Sequence, residues 1–272
     1  MAEIHNFDIY LKRMAATLSD KCWWVDRLPP DIDTVVDYGC AQGDLAAYLW
    51  RNHPGRFRYV GIDNSPAMLA LVEQNRDRLF GDAQVAFYPT ISGIADRCDV
   101  RRSVLVLNSV LHEVFSYLSA PEQAALLSEL FGAGFRFIAI RDMSMSKLDP
   151  LPFDVDEALL AIEQSPFAAL WEDYSASLDS AEPPRDACWS STPLRVSEFL
   201  LKYTYTDNWA REKRETYFWE WLRLTEDARR KGGYEIVADI PFHIPFLRQQ
   251  IRADLGIDLP IDTHRKVLLR RN

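Results

Sequence analysis

Thr34-Val35-Val36-Asp37-Tyr38-Gly39-Cys40-Ala41-Gln42-Gly43-Asp44-Leu45-Ala46-Ala47-Tyr48-Leu49-Trp50 is the stretch whose reading decides the fold. Its β-branched opening suits a buried strand. Two glycines break the run, and Asp44 to Trp50 resumes with helical spacing, so the order is strand, tight glycine loop, helix. A second strand, Arg58-Tyr59-Val60-Gly61-Ile62, ends at Asp63, 20 residues beyond Gly43. At that distance a nucleotide-binding βαβ unit sets a carboxylate on ribose hydroxyls. The glycine loop, for its part, lets backbone amides approach a ligand in the crevice at the strand ends.

The rest of the chain extends the same pattern. Phe7, Tyr10, Leu11, Met14, Leu18, Cys22 and Val25 recur at three- and four-residue steps, which predicts a leading helix over 4–27 that Leu28-Pro29-Pro30 ends. Ser65-Pro66 reads as N-cap and first turn of another helix. Gln84 to Tyr88 reads as a third strand. Ser103 to Leu107, apolar without alternation, reads as a fourth strand covered on both faces. Ser119-Ala120-Pro121-Glu122 is a capping box opening a helix. Phe135 to Arg141 is a fifth strand ending in Asp142, and Tyr234–Ile240 and Arg265–Leu269 are two closing strands around a helix over Pro245 to Leu255.

Between Ser146 and Arg230 the alternation stops, in a segment too long to be a plain loop. Helices are expected over Val155–Leu170, Leu194–Lys202 and Trp209–Arg230, with a mobile turn region from Asp179 to Pro193. The last helix is aromatic, and Tyr217, Trp221 and Leu224 are expected on its buried face. Arg265, Lys266, Arg270 and Arg271 make the terminus basic, as a solvated strand edge or, alternatively, an RNA contact.

Composition bounds the function. The chain has 272 residues, 48% hydrophobic and 26% charged, enough for one domain with an insertion or for two small ones. It shows no charged leader with an apolar run behind it and no stretch approaching the ~20 apolar residues of a membrane span, so a cytoplasmic protein without a membrane partner is expected. Its four cysteines form no C-x-x-C pair, which predicts neither a zinc nor an iron–sulfur site, and no metal. A net charge of −9 argues against a surface built throughout to grip phosphate backbones.

The loop Asp37, Gly39, Ala41, Gly43 resembles the Asp-x-Gly-x-Gly-x-Gly motif of class I S-adenosylmethionine-dependent methyltransferases, with Ala41 in place of the middle glycine. The NAD fingerprint has a different glycine step. The resemblance implies an α/β, doubly wound, seven-stranded and mostly parallel sheet with an antiparallel last strand. It implies a core over 1–145 and 231–272, with the leading helix covering the cofactor and 146–230 forming a largely helical lid. The cofactor implied is S-adenosyl-L-methionine, bound by Asp37, Gly39, Cys40, Ala41, Gly43, Asp63, Asn64, Met68 and Asn108, with Tyr10, Met14 and Lys21 near it; Trp24 is a further contact in that reading, but Trp23 and Trp24 are expected instead to pack against the sheet.

Asn108-Ser109-Val110-Leu111-His112-Glu113 resembles the Leu-His segment after the fourth strand of small-molecule methyltransferases, including plant O-methyltransferases in which the histidine is the general base. Histidine suits that task because its ordinary pKa lies near working pH. His112 is therefore the catalytic candidate, with Glu113 beside it; the alternative is a histidine that only hydrogen-bonds the helix start. The Asn/Asp-Pro-Pro-Tyr/Phe signature of amino methylation and the Pro-Cys of cytosine C5 methylation do not occur. Asp142 alone is thin support for a metal-assisted site. The expected activity is methyl transfer to an oxygen or nitrogen of a small-molecule acceptor. RNA or nucleotide-end methylation and a non-catalytic scaffold of the same fold are the alternatives.

Overall fold

In the computed structural model, which describes residues 17–144, 154–179, 192–217, 221–259 and 261–272, the predicted alternation forms one sheet. Its strands are β1 (Thr34–Tyr38), β2 (Arg58–Ile62), β3 (Val85–Tyr88), β4 (Ser103–Asn108), β5 (Phe137–Met143), β6 (Tyr234–Phe242) and β7 (His264–Arg271). Their spatial order is β3-β2-β1-β4-β5-β7-β6. The first five pair in parallel, and β7 runs antiparallel to both β5 and β6. The order reverses beside β1, whose first neighbours are β2 and β4, and at such a switch point an open α/β sheet leaves its crevice.

Period-two alternation assigns the two faces. Val36, Leu105, Leu107, Ile138, Ile140, Val267 and Leu269 share one apolar cluster. Val35, Val104, Val106, Phe137, Ala139 and Leu268 share the other, on the opposite side. Parallel strands covered on both faces need this double burial, and it accounts for the unbroken apolar run of β4.

The helices are α1 (Leu18–Lys21), α2 (Asp44–Asn52), α3 (Pro66–Phe80), α4 (Leu111–Tyr117), α5 (Ala120–Gly132), α6 (Val155–Glu163), α7 (Ala168–Asp179), α8 (Thr192–Lys202), α9 (Trp209–Glu212), α10 (Trp221–Gly232) and α11 (Pro245–Leu255). Ser65 caps α3 through its hydroxyl on Met68 N, and the Ser119–Glu122 capping box opens α5, both as their sequences predict. A third apolar cluster lies in the insertion, around Tyr174, Phe199 and Tyr203, and takes in Ile251 and Leu255 of α11 as well.

Four expectations change. Val155–Leu170 is two helices, because Ser165-Pro166 intervenes and proline cannot supply the amide a continuing helix needs. Trp209–Arg230 is interrupted: α9 ends at Glu212, a turn follows at 213–214, and 215–217 are not helical, since Glu215 and the backbone of Thr216 and Tyr217 bond outward to α4 and α8. Tyr217, Trp221 and Leu224 are all buried, though in two different clusters. Among the described residues the leading helix is only the short α1; the chain then turns so that buried Trp24 packs edge-on against Phe57, 6.0 Å between ring centres. Finally, β7 is not an edge: it lies between β5 and β6, and Arg265, Lys266 and Arg270 pair with Asp239, Asp20 and Glu235. Tyr10, Met14, Phe218 and Trp219, and most of the expected turn region, lie outside the described residues.

Candidate active site

The register Tyr38↔Ile62 ends β1 and β2 side by side. Gly39 N and Cys40 N both donate to Ile62 O, at 2.8 and 3.0 Å, and bend the loop across the end of β2. Gly39 (φ +80°) and Gly43 (φ +83°) take left-handed conformations, and a Cβ on them would meet Val110 Cγ2 at 2.6 Å and Phe80 Cζ at 2.8 Å. Both positions therefore need glycine for conformation and for space. Ala41 adopts φ 47° without being glycine. Its amide is anchored by Asp63 Oδ2 at 2.8 Å, while Asp63 Oδ1 accepts Ser65 N at 2.9 Å. Burial raises the pKa of the half-buried Asp63 carboxyl, against the two amides that lower it.

Asp37 lies under this loop, buried, and accepts a 2.5 Å hydrogen bond from Tyr59 OH. Burial pushes its pKa up to about 6, against the Tyr59 bond and the Lys21 charge. Lys21, also buried, is pushed down to about 8 by burial and by Arg141. At the end of β4, Asn108 is 7% exposed, and neither its Oδ1 nor its Nδ2 has a hydrogen-bond partner. A buried carboxamide left unpaired costs about 1–3 kcal/mol, so Asn108 is a group that a bound ligand or water would satisfy. Ser109 follows with φ 55°, a second left-handed non-glycine residue on the crevice, and its hydroxyl meets Arg141 Nη1 at 3.4 Å.

These residues fit the implied cofactor. Asn108 offers a free donor and acceptor, and Asp63 has spent one lone pair per oxygen where a carboxylate offers about four acceptor sites. Asn64 is exposed beside Asp63, and Met68 is buried on α3. Cys40 is buried, and burial drives its thiol pKa upward, which makes it a packing residue of the loop rather than a nucleophile.

The second half of the site is built around His112, 6% exposed at the start of α4. Its Nδ1 lies 2.7 Å from Asp142 Oδ1. Asp142 Oδ2 accepts Leu111 N at 2.6 Å, and Oδ1 accepts Met143 N at 2.8 Å, so β5 fixes the entry of α4 and the imidazole together. His112 Nε2 faces Glu215 Oε2 of the insertion at 3.6 Å, and Tyr217 packs on the ring edge to face. Burial alone would lower the His112 pKa; Asp142, then Glu215 and Glu113, outweigh it and raise it to about 9. Asp142 is lowered in turn: burial opposes its charge, and His112 and backbone amides prevail.

Glu113, the other catalytic candidate, is held by Arg211 Nη2, and Arg211 Nε donates to Glu215 Oε1 at 2.8 Å. Burial raises Glu113 above the ordinary carboxyl range despite Arg211. Burial and Glu215 push Glu212 up to about 7. His112, Glu113 and Glu215 each bring one metal-ligand-type atom within 4.8 Å of the others, but the Arg211 guanidinium already bridges the two glutamates.

The structure thus brings Asp37, Gly39, Ala41, Gly43 and Asp63 together at the ends of β1 and β2, and sets Asn108 at the end of neighbouring β4 with His112 and Glu113 on the helix that follows. Asp142, Glu215 and Arg211 were not singled out as site residues from the sequence. Asp142 was legible as the end of β5, whereas Glu215 sits in a charged run, Arg211 to Glu215, with no signal beyond solvated-helix composition.

Residues 35–133 match the family of the methyltransferase domain. No curated protein matches the chain in sequence. Similar solved structures include an O-methyltransferase family protein from Burkholderia thailandensis, 15% identical over 97% of this chain and 59% of that one, with a TM-score of 0.50. They also include the small RNA methyltransferase HEN1, 13% identical over 100% of this chain and 26% of that one, TM-score 0.50. PKMT2 from Rickettsia typhi in complex with AdoHcy is 14% identical over 90% of this chain and 49% of that one, TM-score 0.49. The chain spans less than two thirds of the length of each of these three proteins, and at these identities the likeness is one of fold.

Proposed function

We propose, from the premise that residues 35–133 are a methyltransferase domain of the class I, S-adenosylmethionine-dependent type, that the chain methylates a hydroxyl or amine of a small molecule with His112 as the proton acceptor. The observation that carries the reading is the orientation of His112: Asp142 holds Nδ1, which leaves Nε2 facing the insertion. Asp142 fixes the tautomer and stabilises the imidazolium that proton removal creates, the role a carboxylate plays behind a general-base histidine.

The bound cofactor supplies an electrophilic methyl group on a sulfonium. Asp63 and the amides of the Gly39–Gly43 loop would hold its adenosyl half, with Asn64 and Met68 beside it, while Asn108 and Asp37 would orient its amino-acid end. The insertion would exclude water and present Glu215 as the second carboxylate against His112. Positioning of this kind supplies up to roughly 7–11 kcal/mol in favourable cases, and proton transfer a smaller contribution of about 10²–10⁴-fold. Glu113, Asp142, Glu212 and Glu215 are nearly balanced by Arg211, buried Lys202 and the protonated His112, so the site carries no positive excess of the kind that a polyanion such as RNA calls for. Cys22, Cys40 and Cys98, without disulfides, suit a cytoplasmic setting, and among the described residues no helix is long and apolar enough to cross a membrane.

Tritium-methyl transfer into size-fractionated cell extract tests the proposal. Label should enter the small-molecule fraction, with turnover rising as pH approaches about 9, where His112 gives up its proton. Label confined to RNA or protein would reject the acceptor class, and no transfer with intact cofactor binding would reject the enzyme.

A further inference from the structure

The reading of His112 as the base places its second carboxylate, Glu215, on the insertion, on a short strap that follows α9 through a turn and runs over 213–217. Resting on that reading, we propose that Arg211 is a positioning residue of the site: it clamps Glu113 of α4 to Glu215, and so docks the strap with Glu215 against His112 Nε2.

The strap has two sets of attachments. Lys202 Nζ donates to Glu215 O, and Tyr217 N donates to Glu198 Oε1 at 2.7 Å, which ties it to α8 of its own insertion. Toward α4, Thr216 N donates to Ser116 Oγ at 2.6 Å, Tyr117 OH donates to Glu215 Oε1 at 3.2 Å, and Arg211 Nη2 donates to Glu113 Oε1. Two contacts to α4 join full charges of opposite sign, Arg211 with Glu113 and the protonated His112 Nε2 with Glu215 Oε2 at 3.6 Å; the Arg211 contact is the closer, and charge-assisted bonds are roughly twice as strong as neutral ones. Arg211 also does what neither hydroxyl can. Without a guanidinium between them, Glu113 and Glu215 are like charges in a largely buried setting, which repel and push the strap away from α4. With it, the same pair attracts the strap.

The groups that face His112 are Asp142 from β5, Glu113 from its own helix, Glu215, Glu212 and Tyr217 from the insertion, with Arg211 on the two glutamates it bridges, and His264 from β7, where burial and Arg141 push His264 down to about 3 and keep it neutral. The sign of one measurement therefore separates a clamp from a bystander charge. Loss of Arg211 with the strap still docked removes a nearby positive charge and raises the titration of His112. If the strap departs and takes Glu215 with it, His112 loses a counter-charge and its titration falls.

The experiment follows His112 by NMR of the histidine-labelled, unliganded full chain, together with hydrogen exchange at the Thr216 amide. In Arg211→Met, His112 should titrate about one pH unit lower than in the wild type, a tenfold loss of proton affinity, and the Thr216 amide should exchange at least tenfold faster. Arg211→Lys, which keeps the charge but not the planar fork, should show both changes at smaller size and serves if the Met variant does not fold. An upward or absent titration change, or unchanged exchange, overturns the clamp. Neither readout uses cofactor or acceptor, so failure of methyl transfer and failure of the clamp are separate results.

Discussion

Replacing His112 with glutamine should remove a pH-dependent contribution to stability of about 3 kcal/mol. The figure follows from the rise of the His112 pKa from an ordinary 6.5 to about 9, each unit being worth about 1.4 kcal/mol. Its sources are Asp142 at 2.7 Å on Nδ1 and Glu215 and Glu113 on the other side, opposed by burial. The sign is that of a raised base: the folded state holds the proton more tightly. The contribution is therefore complete below pH 6.5 and disappears as pH rises through 9. Urea unfolding at pH 6 and pH 10, at equal ionic strength, should show the free-energy difference between wild type and His112→Gln shrinking by about 3 kcal/mol. The difference is the quantity to use, because other groups titrate in or near the window, among them depressed His264, which gains stability as pH rises through 6.5, and the buried cysteines, which lose it above 9. Lys21, depressed to about 8, gains stability as pH rises; Asp37 and Glu212, raised to about 6 and about 7, lose it. A difference that stays flat, or that grows with pH, refutes the account of His112 as an imidazolium held between carboxylates.

Asp63→Ala should weaken S-adenosylhomocysteine binding by about 1.5–3 kcal/mol in a calorimetric titration, the scale of hydrogen bonds to a charged group; unchanged affinity would reject the assignment of Asp63 to the cofactor. Asn108→Leu should raise the stability of the unliganded chain, by up to about 1–3 kcal/mol, because it removes a buried carboxamide with no partner. The same variant should lose cofactor affinity, and stability and affinity falling together would mean that Asn108 is structural. Gly43→Val should abolish cofactor binding before it abolishes folding, since φ +83° and Phe80 at 2.8 Å leave no place for a branched side chain in the loop; calorimetry beside circular dichroism separates the two losses.

The sequence by itself determined the sheet and the glycine loop and carboxylate at the ends of its first two strands, where the proposed cofactor site lies. Those features are local: a strand of β-branched residues, a loop that needs glycine, a helix capped by Ser65, a carboxylate 20 residues on. Each is a property of neighbours along the chain, and neighbours along the chain can be read. The breaks in the insertion were legible only in part. Pro166 announces one of them, whereas the end of α9 at Glu212 is dictated by partners on α4 and α8 that no periodicity reveals. The proton chemistry was decided by tertiary structure alone. His112, Asp142 and Glu215 stand 30 and 73 residues apart in sequence, and a pKa depends on distance and dielectric in space, so only the fold could place a histidine of ordinary pattern between two carboxylates.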